Sequence, residues 1–135
     1  MARVTIWLFV ESAATSAEEL SRIIGLPCDV SRRKDEPLAG RPGLTSKKNL
    51  WRIETRREIP EDPQEVCRQI SEALWEVLNR IRGHEEGFAA AAELGVSGVM
   101  VGVLAESAPS IELDAALLKA VAVLNVDLEV DLVVG

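Results

Sequence analysis

The sequence predicts a single α+β domain, and three observations predict it. Four segments alternate with the two-residue period of a strand, the stretches between them carry helical stripes opened by capping residues, and one strand-helix-strand pattern occurs twice. At 135 residues with 47% hydrophobic content, the chain has the size of one compact core spanning 1–135. A charged fraction of 27% without low-complexity runs excludes disorder. No apolar stretch approaches the roughly 18 residues of a membrane span.

In the first strand Val4, Ile6, Leu8 and Val10 point one way and Arg3, Thr5, Trp7 and Phe9 the other, so both faces are substantially apolar. The run from Val4 to Val10 imitates a secretory signal, but Glu11 follows at once and the segment matches a later repeat. It reads as a strand of a soluble, cytoplasmic protein. Ser16 and Glu19 form a capping box, Leu20, Ile23 and Ile24 make a helical stripe, and Gly25 stops the helix. An insertion from Pro27 to Asn49 precedes a second strand around Trp51 to Arg57.

Asp62 caps the next helix, with Pro63 in its first position and Glu65 completing a box. Its apolar face is Val66, Ile70, Ala73, Leu74, Val77 and Ile81, and it runs to about Arg82. Gly83 breaks it, and "EEGFAAAAELG" reads as a further helix ended by Gly95, with Phe88 expected to cover Trp75 on the far side of the preceding helix. Val96 to Leu104 is the third strand. Ser110 is read as the cap of a helix striped by Leu113, Leu117, Ala120, Val121 and Leu124, which leads into a last strand from Val126 to Val134.

The junctions "VESAATS" and "AESAPS" suggest two pseudo-repeated β-α-β halves, giving the order β-α-β-α-α-β-α-β. The first and third strands, apolar on both faces, belong in the centre, and the strands that alternate with charges are edges. Right-handed crossovers then favour a four-stranded mixed sheet of ferredoxin-like type with the helices packed on one face.

"IGLPCDVSRRKDEPLAG", followed by "NLWRIET", a long helix and the tail "LNVDLEVDLVV", resembles the bacterial domain of unknown function family 4279 across nearly the whole chain. The telling pieces are the Leu26-Pro27 turn, the basic loop and Trp51 opening the second strand. Asp35 stands where the resemblance implies a glycine after the basic cluster. The resemblance implies a fold and assigns no reaction and no catalytic residue.

Charge is distributed unevenly. The chain carries a net −7, yet Ser31 to Glu58 holds nine basic side chains against four acidic ones. Six of the nine, Arg32, Arg33, Lys34, Arg41, Lys47 and Lys48, lie in the inserted ribbon. The plainer reading folds this ribbon over the chain's own acidic helices and strands. The functional reading makes it the site for an acidic protein partner or a small anion. Nucleic acid is not the expected partner, because the acidic remainder repels phosphate and no aromatic residues interleave the basic ones.

The open sheet face offers a second surface. Trp7 and Phe9 share it with Met100 and Leu104, above Gly98 and Gly102, and an apolar floor of this kind calls for cover. A homodimer formed through these residues is the expected cover, ahead of a ligand cleft between the glycines or the inserted loop itself. No membrane partner is expected.

The chemistry of catalysis finds little foothold. His84 is the single histidine, Cys28 and Cys67 lack metal or redox spacing, and no phosphate cradle, nucleophile elbow or dinucleotide fingerprint occurs. Glu11 and Glu106 occupy matching positions and would form a carboxylate pair only if the repeat brought them together. No cofactor, metal or catalytic residue is expected. The expected function is binding rather than catalysis: an immunity-type or regulatory protein that recognises another protein through the basic loop. The alternative is a small-molecule anion binder or enzyme using that loop and the open sheet face.

Overall fold

The computed structural model describes residues 1–135. Five strands and four helices follow one another as Ala2–Ser12 (β1), Ala17–Ile24 (α1), Val30–Arg32 (β2), Asn49–Ile59 (β3), Pro63–Ile81 (α2), Glu85–Ala92 (α3), Val96–Ala105 (β4), Ala115–Val123 (α4) and Asp127–Val134 (β5). The strands make one sheet in the order β2-β3-β1-β4-β5.

β1 is central, as its two apolar faces require, and is antiparallel to both neighbours, with Trp7 opposite Glu54 on one side and Met100 on the other. Ala2, Val4, Ile6, Leu8 and Val10 are fully buried in a core shared with the stripe of α2 and with Leu20, Ile24 and Phe88. The other row of β1 stays half-buried on the opposite face. The helices therefore seal one face of the sheet and leave the other to its own side chains.

The sheet has five strands rather than the four expected of a ferredoxin-like sheet, the strand opened by Trp51 is interior rather than an edge, and the two halves are not equivalent. Val30–Arg32 is an additional strand, antiparallel to β3, so α1 connects β1 to β2 with β3 lying between them. α2 and α3 likewise connect β3 to β4 across β1. α4 instead joins β4 to an adjacent, parallel β5. The two strand-helix-strand repeats thus close differently. The ribbon explains it: after α1 the chain makes β2 first and then doubles back as a hairpin, so the strand opened by Trp51 returns antiparallel to β1.

Helix ends follow local chemistry with two shifts. Ser16 Oγ accepts the Glu19 N–H and Asp62 Oδ1 accepts the Gln64 N–H. The last helix is capped by Asp114, whose carboxylate accepts the Leu117 N–H at 2.8 Å, and not by Ser110. α3 ends at Ala92 rather than Gly95. Gly95 serves a different need, since a Cβ there would stand 1.8 Å from the Glu11 carbonyl oxygen.

Candidate functional site

The inserted ribbon is itself a hairpin. Beyond β2, the Asp35 N–H donates to the Ser46 carbonyl, Ser46 N–H to Glu36 and Leu38 N–H to Leu44, at 2.7, 2.8 and 3.0 Å. Side chains pin its base: Asn49 Oδ1 accepts the Lys34 N–H and Ser46 Oγ donates to the Lys48 carbonyl. Gly40 and Gly43, at φ of 70° and 81°, shape the tip. Asp35 holds φ 69°, the left-handed conformation that accounts for a glycine being implied at this place.

Between this ribbon and the sheet lies a cavity of about 540 Å³ lined by Glu11, Arg32, Leu38, Leu44, Thr45, Ser46, Lys47, Lys48 and Leu50. Its position follows from register. Arg32 of β2 is paired with Leu50 of β3, and Leu50 with Glu11 of β1, so the three share the open face at one end of the sheet. Lys47 and Lys48 arrive from the returning arm of the ribbon. The volume suits a small ligand or a few inserted side chains. Leu38, Leu44 and Leu50 supply apolar contact, and three cations against the one carboxylate of Glu11 leave the lining net positive.

The six ribbon cations do not all meet. Arg32, Lys47 and Lys48 line the cavity; Arg41 lies across the ribbon in a second cleft with Ser31, Arg32 and Glu36; Arg33 and Lys34 point to solvent outside both. None of the six makes an ion pair. Of the nine other basic side chains seven do: Arg3, Arg22, Arg52, Arg56, Arg57, Arg68 and Arg80. The ribbon cations are thus held by no close ion pair, although Glu11 lines the cavity beside Arg32, Lys47 and Lys48, and Glu36 shares the second cleft with Arg32 and Arg41.

The open face is narrower than strand alternation implies. Arg52, opposite Phe9 in the register, lays its guanidinium over the Trp7 ring with 4.0 Å between its carbon and the ring centroid. Its partial burial pulls the Arg52 pKa below the usual value, against which neighbouring Glu54 acts. Phe9 lies over Gly98, where a Cβ would stand 3.1 Å from its ring. Met100, Leu104 and Trp7 line a shallow hollow of about 210 Å³ with Arg3, Thr5, Gly102 and Asp131. Leu104 alone of the four expected interface residues is well exposed.

Other candidates separate. Glu11 is paired with Val96 at the start of β4 whereas Glu106 follows its end, so the two carboxylates lie at opposite ends of the sheet and form no acid-base pair. His84 packs its ring against Gly25 at the start of α3. Both cysteines are free and half-buried, and no three His, Cys, Asp or Glu side chains are placed to hold a metal ion. Phe88 stacks obliquely on Trp51 at 6.1 Å rather than covering Trp75, which lies among residues of α2, α4 and the Glu112–Asp114 segment.

Sequence reasoning reached the cations but missed the leucines that complete the cavity. Leu38 and Leu44 are isolated apolar residues in a polar stretch, without periodicity to mark them; their signal is the Pro37-to-Gly43 turn, which brings two such residues opposite each other. No helix is long and apolar enough to cross a membrane.

A protein-family model described as domain of unknown function (DUF4279) matches residues 2–135. No curated protein and no solved structure matches the chain.

Proposed function

The chain belongs to the DUF4279 family, and from that premise and the ribbon we propose that it is a binding protein that recognises an acidic segment of another protein. One observation carries this reading: none of the six ribbon cations makes an ion pair within the chain, whereas seven of the nine other basic side chains do. Unpaired like charges on one ribbon repel each other, and an acidic partner removes that repulsion while steering its own approach. The cavity receives an anchoring group with an apolar stem and a carboxylate end; Arg33, Lys34 and Arg41 contact the flanking acids. Such recognition suits an immunity-type or regulatory protein, whose working part is a charged loop on a rigid scaffold.

A second reading is favoured by the concavity alone: a small carboxylate or other anion held by Arg32, Lys47 and Lys48 above Leu50. The two are separated by a glutamate-rich peptide and a short fatty carboxylate, each titrated against two triple variants. For a protein segment, Arg33→Ser/Lys34→Ser/Arg41→Ser and Arg32→Ser/Lys47→Ser/Lys48→Ser both weaken peptide binding, and added salt weakens it further. For a small anion only the second set matters and the fatty carboxylate binds by itself. Wild-type protein that binds neither probe at low salt overturns both.

A further inference from the structure

The edge of the sheet opposite the ribbon is built unlike the ribbon edge. β5 closes the sheet there, and no strand lies beyond it. Parallel pairing with β4 sets Leu128, Val130, Leu132 and Val134 beside Val99, Val101, Val103 and Ala105, on the side the helices cover. The β4 row is buried, but Val130, Leu132 and Val134 remain 42%, 38% and 48% exposed. On the other face stand Asp127, Glu129 and Asp131, all exposed and none in an ion pair.

Such an edge admits one kind of strand and rejects another. Free backbone groups and an apolar row invite pairing, and the acids decide with whom. A second β5 laid antiparallel puts acid against acid: with Val130 on the twofold axis, Glu129 of one copy lies opposite Asp131 of the other. Like charges directly opposite each other destabilise a strand pair, so the edge works against its own copy. A strand in which basic residues alternate with apolar ones satisfies both rows at once.

We propose that β5 is a docking edge for an extended segment of another protein in which basic and apolar residues alternate, added to the sheet as a further strand. Backbone hydrogen bonds to β5 supply affinity and the alternating side chains supply specificity. The segment's apolar residues continue the row of Val130, Leu132 and Val134, and its Lys or Arg side chains meet Asp127, Glu129 and Asp131. The proposal concerns the opposite edge of the sheet and the opposite sign of charge from the ribbon, and does not rest on the function proposed there.

The test uses the full chain and two synthetic peptides of strand length, roughly eight residues, one alternating lysine and valine and one alternating glutamate and valine. The lysine–valine peptide is expected to slow amide exchange across Asp127–Val134 on the order of tenfold, less so at high salt, while the glutamate–valine peptide leaves it unchanged. In the variant Asp127→Lys/Glu129→Lys/Asp131→Lys the preference inverts. Should that variant not fold, Asp131→Asn alone serves, with several-fold weaker protection by the lysine–valine peptide expected and unchanged protection overturning the proposal. Binding of the lysine–valine peptide without protection of β5 overturns it, because contact through charge alone adds no strand. Protection of β5 that rises with protein concentration in the absence of peptide also overturns it, since the occupant is then a second copy.

Discussion

The guanidinium carbon of Arg52 sits 4.0 Å from the centre of the Trp7 ring, on neighbouring strands of the open face. The contact lets the longest apolar side chain on that face remain half-buried without a partner molecule. Arg52→Ala is expected to cost about 1–2 kcal/mol and to make Trp7 accessible to a collisional quencher. Denaturant unfolding together with acrylamide quenching measures both. A variant as stable as the wild type, with Trp7 still shielded, refutes this account of the face.

Asp29 and Arg80 join the turn before β2 to α2 through two hydrogen bonds of 2.6 and 2.8 Å, and Asp29 Oδ2 also accepts the Glu54 N–H. The Arg80 guanidinium, helped by the Glu54 amide and opposed by partial burial, holds the Asp29 carboxyl below its usual range. A group whose folded pKa is depressed stabilises the fold above its unfolded pKa, about 3.9 for Asp, and loses that contribution as pH falls through the folded value. Asp29→Asn is therefore expected to cost about 1 kcal/mol at pH 7, a figure kept low because both groups are partly solvated. Near pH 2 the difference from wild type shrinks. Denaturation midpoints at the two pH values decide it, and a difference that grows in acid reverses the sign.

Much of this fold is legible in the sequence. β1 alternates with period two over its length, α2 carries an unbroken stripe, and Ser16 and Asp62 announce their helices. The sheet's centre and its β5 edge were legible in strand polarity, but the interior place of β3 was not, because β2 has three residues and one alternation, too few to stand out from a basic loop. Periodicity also says which face a side chain occupies but not its neighbour, so the partnering of Trp51 with Phe88, and the covering of Trp7 by Arg52, required the register. The cations of the site were visible as a cluster. That they lack ion pairs is a property of three-dimensional placement and leaves no trace in composition.

Close packing makes two glycines stringent. A Cβ at Gly87 would stand 2.6 Å from the Ile23 carbonyl oxygen, and one at Gly95 would stand 1.8 Å from that of Glu11. Gly87→Ala forces α1 and α3 apart and is expected to cost about 1–3 kcal/mol, with Gly95→Ala costing at least as much. Gly43→Ala meets no neighbour and suffers only its φ of 81°, so about 1 kcal/mol is expected. Thermal melts of the three variants should follow that order.

Asp35 is the converse case, a residue with a side chain in glycine's conformation. Asp35→Gly relieves the backbone while adding freedom to the unfolded chain, and is expected to leave stability within about 0.5 kcal/mol. Asp35→Val, β-branched at φ 69°, is expected to cost about 1–2 kcal/mol and to loosen the ribbon. Amide exchange at Ser46 and Leu38, whose N–H groups bond across the ribbon, reports the loosening directly.

Equal charges in different places should behave differently. Arg57 is held by Gln69 at 2.6 Å, Glu76 at 2.7 Å and Glu72 at 3.3 Å, tying β3 to α2. Arg32, Arg33 and Lys34 have no such partners. Arg57→Ser is accordingly expected to cost about 1–2 kcal/mol, since it unties β3 from α2 and leaves Glu76 without its paired cation, while Glu72 keeps Arg68. Replacing all three ribbon cations with Ser removes more charge and yet is expected to shift stability by no more than about 0.5 kcal/mol, because only long-range, salt-screened attraction to the acidic remainder is lost. If the triple variant proves the less stable of the two, the ribbon is tied into the fold by its charges after all. If it folds as the wild type does while losing its affinity for acidic peptides, those charges are held for a partner.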